Sequence, residues 1–245
     1  MSDPTVTVLM SVYNGERYLR EAVDSIIAQT YEDFEFLIVN DGSTDSSIEV
    51  LQSYEDPRIR IINNDVNIGL TKSLNRGVQL ARGRYIARMD ADDVSSPDRL
   101  EKEVQFLDAH PDVGLVGSNV KVIDDDGRDV GVMTYPETSG HIKWYMLFFN
   151  PMVHPTLLIR REVFERVGGY NEGIRYAQDY ELLCRLAPIT RFWNLQDTLL
   201  RFRMHSGRVS FRQRADQTRF SDQIKQDYIF SLIGERLPME GIRAM

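Results

Sequence analysis

Apolar residues along the first half of the chain recur with two periods, one typical of buried strands and the other of helices. Phe34–Val39 is apolar at nearly every position, as a strand buried on both faces would be. Tyr18–Ile27 instead spaces its apolar side chains as one face of a helix does. The pattern predicts strands at Thr5–Val12, Phe34–Val39, Arg58–Ile62 and Tyr85–Met89, and helices at Tyr18–Ile27, from a cap at Ser43–Asp45 through Tyr54, at Leu70–Ala81 and at Pro97–Ala109.

This alternation of strand and helix predicts an α/β fold with a mostly parallel sheet and helices on both of its faces. In such sheets, ligands bind beyond the carboxyl ends of the strands. The segments that follow Val12, Val39, Ile62 and Met89 are rich in polar residues. We therefore expect these four segments to share one ligand-binding edge of the sheet.

The second half of the chain is less regular and predicts a smaller mixed region. No linker rich in Pro, Gly or Ser separates the two halves, so we expect one domain over residues 1–245, divided at about residue 110. The predicted elements are strands at Val113–Ile123, Val153–Ile159 and Thr198–Met204, a turn at Asp124–Gly127, a helix at Tyr180–Leu186 and a C-terminal amphipathic helix at Ala215–Ile233.

Composition and charge narrow the class of protein. The chain has 245 residues and a net charge of -8, which argues against a nucleic-acid partner. Its single cysteine, Cys184, lies in an apolar run and is interpreted as a buried thiol rather than a nucleophile. A reducing, cytoplasmic setting is expected, because no signal-peptide pattern begins the sequence and no run approaches the ~20 apolar residues of a membrane span.

Carboxylates, rather than glycine-rich phosphate loops, carry the candidate chemistry. The sequence lacks the P-loop, the G-x-G-x-x-G fingerprint and the H-E-x-x-H and G-x-S-x-G motifs. Asp90, Asp92 and Asp93 follow the strand Tyr85–Met89, and carboxylate oxygens are the ligands that Mg²⁺ and Mn²⁺ prefer. The alternative is a solvated acidic turn before the helix at Pro97. The place of these aspartates on the expected ligand-binding edge of the sheet favours a metal site.

Asp41 follows the second strand within the segment Asn40–Asp45. Its carboxylate can accept a hydrogen bond from a base N–H or a ribose hydroxyl, and a helix that begins nearby adds exposed backbone N–H groups. An Asx-type turn that caps the helix explains the same residues equally well.

In order and spacing, these segments resemble family 2 glycosyltransferases of the GT-A fold, and the resemblance extends over nearly the whole chain. It implies a Rossmann-like sheet, a nucleotide-sugar-binding half at residues 1–110 and an acceptor-binding half at 111–245. The segments that carry it are Val8–Asn14, Asn40–Asp45, Asn67–Gly69 with Asn75, Asp90–Asp93, Pro97–Leu100, Asn150–Pro151, His154–Pro155, Gly168–Tyr170, Gln178–Leu182, and Arg203 with His205.

The resemblance also implies roles for individual residues. Asp41 would pair with the base, usually uracil, and Asp90 and Asp92 would bind Mg²⁺ or Mn²⁺ on the donor diphosphate. Asp179 would be the general base, for which a helix N-cap is the alternative interpretation. The family more often has Glu where this chain has Gln178, which removes one charge beside Asp179. The other residues assigned to the nucleotide sugar are Ser11, Val12, Tyr13, Asn14, Asn67 and Ala91.

Arg203 and His205 lie in a basic stretch, Arg201–Arg214, that is unusual in an acidic chain. Arg203 is a candidate for holding the diphosphate, and His205 is a candidate for the diphosphate or a third metal ligand. The stretch itself is a candidate for a loop that closes over the donor. An exposed basic turn is the competing interpretation. Three aromatic residues are candidates for acceptor contact or for the core: Tyr135, Trp144 and Phe148.

The resemblance therefore implies an inverting glycosyltransferase that moves a sugar from a UDP-sugar to a saccharide or lipid-linked saccharide acceptor in the synthesis of bacterial cell-surface polysaccharide. A sugar nucleotidyltransferase is an alternative, although Tyr13–Glu16 stands where a glycine-rich phosphate loop is expected. A non-catalytic nucleotide-sugar-binding module is another. The helix at Ala215–Ile233 is compatible with packing on its own domain, with a peripheral membrane contact at the inner face, or with a homodimer.

Overall fold

The first four strands and their helices follow the order that the hydrophobic pattern predicts. The computed structural model describes residues 3–205 and 214–245. Its first elements are β1 (Val6–Val12), α1 (Glu16–Ile27), β2 (Phe34–Asn40), α2 (Ser47–Gln52), β3 (Ile59–Asn63), α3 (Leu70–Leu80), β4 (Tyr85–Met89), β5 (Val94–Ser95) and α4 (Arg99–Ala109).

The second half extends the same sheet with shorter and more irregular elements. They are β6 (Val113–Ile123), β7 (Asp129–Met133), α5 (Ser139–Tyr145), a 3₁₀ turn at His154–Thr156, β8 (Leu158–Arg160), α6 (Arg161–Arg166), α7 (Gln178–Leu186), β9 (Arg191–Arg203), α8 (Arg214–Ile233) and α9 (Met239–Ala244).

The described residues form one sheet in the strand order β3-β2-β1-β4-β8-β6-β9-β5, with β7 paired to β6. The four strands β3, β2, β1 and β4 are parallel, as predicted. Strand β8 is antiparallel to both β4 and β6, so β6 runs in the same direction as β4. Strand β9 is parallel to β6. The carboxyl ends of β6 and β9 therefore lie on the same edge as those of the first four strands.

Helices cover both faces of the sheet because successive residues of its central strands point to opposite sides. Met10 and Ala87 face one buried cluster, and their neighbours Leu9 and Ile86 face the other. The first cluster includes residues of α1 and α4, and the second includes residues of α3, α6 and α7. The apolar patterns of strands and helices thus lead to the same two-faced core.

Two predicted strands of the second half have the wrong bounds. Val153–Ile159 is mostly not a strand: His154–Thr156 forms a 3₁₀ turn with Pro155 in it, and only Leu158–Arg160 pairs with its neighbours. Proline has no N–H to give to a sheet, which explains the late start. Strand β9 begins at Arg191 rather than Thr198, and its register shifts between the pairs Ser118–Leu195 and Asn119–Thr198. This irregularity interrupts the alternation from which strands are predicted.

Helix α2 begins at Ser47, later than the predicted cap at Ser43–Asp45. Asp45 still organises the turn, because its Oδ1 accepts a hydrogen bond from the Ser47 backbone N–H at 3.0 Å. The residues Ser43 and Thr44 belong to the loop that reaches the ligand edge.

Helix α8 forms where the sequence predicts a C-terminal helix, but its apolar residues do not gather on one face, so the prediction that it is amphipathic is wrong. Ile224, Tyr228 and Ile229 are buried against the chain's own domain, but Asp222 and Lys225 are buried with them. The exposed apolar side chains are instead at the C-terminal end of the helix, at Phe230, Leu232 and Ile233. Among the described helices, none combines the length and hydropathy needed to cross a membrane.

A buried ionic cluster joins the amino ends of the central strands. Glu35 of β2 is 3% exposed, and its Oε1 accepts hydrogen bonds from Thr7 Oγ1 and the Arg82 backbone N–H, both at 2.7 Å. Its Oε2 accepts from the Arg82 and Arg60 guanidinium groups at 2.8 and 3.2 Å. Burial alone raises the pKa of Glu35, but the hydrogen bonds from Thr7 and Arg82 outweigh it and lower the pKa below its ordinary value.

We expect Glu35→Gln to lower the free energy of unfolding at pH 7 by about 2 kcal/mol, because it removes a charged hydrogen-bond acceptor. The pKa of Glu35 is lower in the folded protein than in the unfolded chain. The stability that its carboxylate provides is therefore present above the pKa of the unfolded chain, and it is lost as the pH falls through the pKa of the folded protein. Urea unfolding should therefore show that, between about pH 7 and pH 3, the free energy of unfolding of the variant falls less steeply with decreasing pH than that of wild type. Glu55→Gln, at an exposed position, is the control, and parallel pH curves for Glu35→Gln and wild type would contradict the assignment.

Candidate active site

Side-chain hydrogen bonds connect the loop after β1 to the loop after β2 at the carboxyl edge of the sheet. The Asn14 backbone N–H donates to Ser43 Oγ at 3.1 Å, and Asn14 Oδ1 accepts from the Thr44 N–H at 2.8 Å. The Gly15 N–H donates to Ser47 Oγ at 2.9 Å. Asn14 has a φ of 52°, a conformation that asparagine tolerates better than most residues. Asn14 thus shapes the wall that the sequence assigns to the nucleotide.

Asp41 holds the loop that follows β3. Its side chain is buried, with Oδ1 accepting hydrogen bonds from Asn64 Nδ2 at 2.7 Å and from the Ile68 N–H at 2.9 Å. Its Oδ2 accepts from the Gly69 N–H at 2.9 Å. These bonds position Asn67, which is exposed. Asp41 therefore has a definite structural role, in addition to the base contact that the sequence predicts for it.

Gly42 allows the same two loops to approach each other. Its φ is +68°, in the region that favours glycine. A Cβ built on it would lie 2.6 Å from the backbone carbon of Val66, which is too close for any side chain. The loops that follow β2 and β3 are thus in direct contact.

The remaining residues of the expected nucleotide pocket differ in accessibility. Ser11 and Val12 are buried, and the Val12 carbonyl accepts a hydrogen bond from the Asp41 N–H at 2.8 Å. Tyr13 is 50% exposed at the edge. Ala91 lies on the acidic turn, 3.7 Å from where a Cβ on Gly15 would be. Tyr13 is therefore the residue of this group with an aromatic surface accessible to a base.

Three carboxylates converge directly after β4. One oxygen from each of Asp90, Asp92 and Asp93 lies within 4.8 Å of the others. Asp90 and Asp92 are partly exposed, whereas Asp93 is fully buried and its Oδ1 accepts a hydrogen bond from the Arg203 N–H at 2.8 Å. Oxygen donors at this spacing fit a divalent metal ion. Asp90 and Asp92 are therefore the accessible candidate ligands, and Asp93 anchors the turn.

Arg203 lies inside the protein, which corrects the expectation that its guanidinium holds a diphosphate. The residue is 1% exposed at the end of β9. Its Nε donates to the Asp92 carbonyl at 2.9 Å, its Nη1 to the Asp124 carbonyl at 3.2 Å, and its Nη2 to Glu21 Oε2 at 2.5 Å. The guanidinium carbon also lies 4.5 Å from the centre of the Tyr18 ring. Arg203 fixes the acidic turn from behind instead of reaching outward.

His205 lies beside the acidic turn, as its candidate role requires. Its Nε2 is 2.9 Å from Asp92 Oδ2, and its ring centre is 5.0 Å from that of Tyr18. A metal ion on Asp92 would compete with this hydrogen bond, so His205 is either a ligand or a partner that holds Asp92. The rest of the predicted closing loop, residues 206–213, lies outside the described residues.

Arg88 is a site residue that the sequence interpretation missed. It is 2% exposed on β4, and its guanidinium donates to Asp90 Oδ1 and to the Met89 carbonyl. Its Nε is buried and has no hydrogen-bond partner within residues 3–205 and 214–245. An arginine inside an apolar central strand was the available signal, because such a charge needs a buried partner.

Asp179 lies in the first turn of α7, after Ala177 with its left-handed φ of 57°. Ala177 occupies the N-cap position, so the interpretation of Asp179 as the N-cap is wrong. Asn150 Nδ2 donates to Asp179 Oδ2 at 2.7 Å. Burial raises the pKa of Asp179 and the Asp90 charge adds to this effect, while backbone N–H groups and the Arg88 charge oppose it. Asp179 is partly exposed but surrounded by protein, as a proton acceptor in a cleft would be.

His154 is buried near the Arg88 and Asp90 charges. Its Nε2 is 2.6 Å from the Tyr170 hydroxyl. Burial, helped by the Arg88 charge, lowers the pKa of His154, which keeps the imidazole neutral. His154 is therefore a structural residue beside the candidate site.

Comparison with known proteins is consistent with this geometry. The sequence matches the family model of glycosyl transferase family 2 over residues 7–168. An uncharacterized glycosyltransferase of Haemophilus influenzae is 33% identical over 240 residues, which cover 92% of this chain and 73% of that protein. The O-antigen biosynthesis glycosyltransferase WbnJ of Escherichia coli is 34% identical over 206 residues, or 82% of this chain and 80% of WbnJ.

Two solved structures share the fold. TarS of S. aureus in complex with UDP superposes with a TM-score of 0.73 at 19% identity, over 99% of this chain and 68% of that one. The mannosyltransferase PcManGT of Pyrobaculum calidifontis, in complex with GDP-Man and Mn²⁺, gives a TM-score of 0.69 at 20% identity, over 100% of this chain and 70% of the other. The fold is thus of the GT-A type, as predicted. With the family model matching most of the sequence, the chain is a glycosyltransferase that belongs to glycosyltransferase family 2.

Proposed function

We propose that the chain is an inverting, metal-assisted transferase that passes a sugar from a UDP-sugar to a hydroxyl group of a saccharide or lipid-linked saccharide. The observation that carries this proposal is the nearness of Asp179 to the acidic turn. Burial is the main cause of the raised pKa of Asp179; the Asp90 charge adds to it and the charge of Arg88, which pairs with Asp90, opposes it, so the candidate base lies within electrostatic reach of the candidate metal ligands. An inverting transfer needs these two functions next to each other.

Asp179 would take the proton from the acceptor hydroxyl. A carboxylate with a raised pKa is a stronger proton acceptor than an ordinary one. The Asn150 amide donates to one carboxylate oxygen at 2.7 Å, and backbone N–H groups at the start of α7 also donate to the carboxylate, which would hold Asp179 in position for the acceptor hydroxyl. As the proton moves to Asp179, the acceptor oxygen bonds to the anomeric carbon of the donor sugar and the bond from that carbon to the diphosphate breaks.

Asp90 and Asp92 would hold Mg²⁺ or Mn²⁺, which neutralises the charge of the departing diphosphate. The GDP-Man and Mn²⁺ in the PcManGT structure support a metal, and the UDP in the TarS structure supports a uridine donor. In this chain Tyr13 would contact the base, and Asp41 and Asn67 would line its pocket. The two partners Arg88 and Arg203 would keep the acidic turn in place whether or not the metal is bound.

The similarity to an O-antigen glycosyltransferase supports a role in cell-surface polysaccharide synthesis at the cytoplasmic side of the membrane. A sugar nucleotidyltransferase remains the second candidate on sequence grounds. The loop after β1 argues against it, because its Asn14 and Gly15 groups are occupied by Ser43, Thr44 and Ser47 rather than arranged as a phosphate cradle. The enclosed Asp179 argues against a module that only binds.

We expect UDP to bind at least about ten-fold more tightly with Mn²⁺ than with EDTA, because Asp90 and Asp92 bind the diphosphate only through a cation. Calorimetric titration with UDP, GDP and dTDP measures both the metal dependence and the base preference. Asp92→Asn should lose the Mn²⁺ effect, whereas Asp126→Asn, an exposed acid on a neighbouring turn, should keep it. Metal-independent UDP binding would contradict the metal site, and preference for another nucleotide would contradict the uridine donor.

Asp179→Asn should reduce sugar transfer by about 10²–10⁴-fold, because the amide cannot accept the proton. UDP affinity should stay within about two-fold, since Asp179 does not contact the nucleotide in this proposal. Steady-state transfer assays with the donor that wild type turns over, together with the UDP titration, separate the two effects. Normal turnover by a folded Asp179→Asn variant would exclude Asp179 as the base.

Arg88→Met should shift the acid limb of the pH–rate profile to higher pH. The Arg88 charge lowers the pKa of Asp179, so its removal raises that pKa and more alkaline solution is needed to keep the base ionised. Arg88→Lys, which retains a positive charge, should shift the limb less. Thermal unfolding of both variants controls for the loss of a buried ion pair, and an unchanged acid limb in a folded Arg88→Met variant would refute the coupling.

A further inference from the structure

We infer that the cavity between the segment after α5 and the N-terminal half of α8 binds an uncharged sugar ring of the acceptor, and that Asp222 and Lys225 determine which sugar fits. This inference rests on the proposed function, because it takes Asp179 as the base that receives the acceptor proton. It adds a binding site, with its residues and its ligand class, on the part of the chain beyond the acidic turn.

The cavity has a volume of about 320 Å³. Pockets for small ligands typically measure about 300–1,000 Å³, so this one has room for a single ring rather than an oligosaccharide. Phe148, Phe149 and Asn150 line one side, and Ser221, Asp222 and Lys225 line the other.

Asn150 connects the cavity to the chemistry. Asn150 lines the cavity, and its Nδ2 donates to Asp179 Oδ2 at 2.7 Å. A ring bound between the two walls therefore lies next to the candidate base. This position is what an acceptor needs, because its hydroxyl must meet both the base and the donor sugar.

The two walls match the two surfaces of a sugar. Phe149 is 46% exposed and, with Phe148, presents an aromatic surface on which the C–H face of a pyranose can pack. Ser221, Asp222 and Lys225 present hydrogen-bonding groups to the hydroxyl groups on the ring edge. An apolar ligand would leave the second wall unpaired, and a fully polar ligand would leave the aromatic wall exposed.

Asp222 and Lys225 are buried polar residues whose mutual contact is loose. They are 8% and 7% exposed, and Lys225 Nζ lies 3.8 Å from Asp222 Oδ1, longer than a hydrogen bond. Arg243 of α9 lies 3.6 Å from Asp222 Oδ2, which is also too far. Both groups thus keep hydrogen-bonding capacity for a ligand while they occupy nearly buried positions.

Gln226, the next polar residue on the same face, behaves differently. Its Nε2 donates to the Leu237 carbonyl at 2.7 Å, and its Oε1 accepts from Arg236 at 2.9 Å. These bonds to the segment between α8 and α9 explain why Gln226 is buried. Within the described residues, Asp222 and Lys225 have no such hydrogen bond; they are held by the ion pair between them at 3.8 Å and by the 3.6 Å contact of Asp222 with Arg243 of α9. A sugar hydroxyl group would supply the close hydrogen-bonding partner that these two side chains lack there.

The charges at the cavity favour a neutral sugar. Asp222 and Lys225 have opposite charges and lie 3.8 Å apart, with Arg243 of α9 3.6 Å from Asp222. A hydroxyl group can donate to the Asp222 carboxylate and accept from the Lys225 ammonium at the same time, whereas the carboxylate of a uronic acid can only accept and would leave Asp222 without a donor.

The test measures binding of p-nitrophenyl glycosides of glucose, galactose, N-acetylglucosamine, N-acetylgalactosamine, mannose, rhamnose and glucuronic acid by saturation-transfer NMR. Wild type should bind at least one neutral glycoside more tightly than the glucuronide. Ser221→Trp, which fills the cavity from a partly exposed position, should abolish this binding. Asp222→Asn and Lys225→Met should weaken it about ten-fold, and Asp227→Asn, at an exposed position on the same helix, should not.

The outcomes separate the inference from the proposed function. UDP titration of each variant should give the wild-type affinity, because the nucleotide pocket lies on the other half of the chain. If neutral glycosides bind to folded Ser221→Trp as they do to wild type, or if wild type binds only the glucuronide or no glycoside, the cavity assignment is overturned. If wild type binds glycosides but no nucleoside diphosphate, the proposed function fails instead. Where Lys225→Met does not fold, Ser221→Trp decides.

Discussion

The acidic turn after β4 concentrates negative charge that the protein must balance from within. Asp93 is fully buried, and Asp90 and Asp92 lie close enough to repel it and each other. Two buried arginines offset this repulsion: the Arg88 guanidinium pairs with Asp90, and the Arg203 guanidinium donates to the Asp92 carbonyl while its backbone N–H donates to Asp93. The turn keeps its shape because both arginines are fixed by the sheet itself, one within β4 and the other at the end of β9.

The same arginines join parts of the chain that are distant in sequence. Strand β9 ends at the ligand edge because it runs parallel to β6, which places Arg203 where it also contacts Glu21 of α1 and the Asp124 carbonyl. Arg88 acts electrostatically on Asp179 and on His154. One electrostatic unit therefore spans residues 1–110 and 111–245, the two halves into which the sequence analysis divides the chain.

The sequence predicted the fold best where apolar residues repeat with the period of the strand or helix that they form. Continuous apolar strands such as Phe34–Asn40, alternating with helices, allowed the parallel sheet and its ligand edge to be predicted. Arg88 and Arg203 could not be placed in this way, because the partner of a buried charge is fixed by strand order and not by spacing along the chain. The first half of β9 was missed because its register shift breaks the alternation of apolar and polar residues. The strand predicted at Val153–Ile159 was wrong over most of its length because Pro155, which has no N–H group for a sheet, lies in a 3₁₀ turn.

The two halves of the site also differ in how firmly their polar groups are held. On the proposed nucleotide side, Asp41 makes three close hydrogen bonds to the loop that it supports, so this loop is held in place without a ligand. On the proposed acceptor side, the side-chain contacts of Asp222 and Lys225 within the described residues are ion pairs at 3.8 and 3.6 Å, longer than a hydrogen bond. The match to the family model ends at residue 168, before α7 and α8 begin. A rigid donor site and a loosely paired acceptor wall would let one fold keep its chemistry while the residues of α8 change the sugar that it accepts.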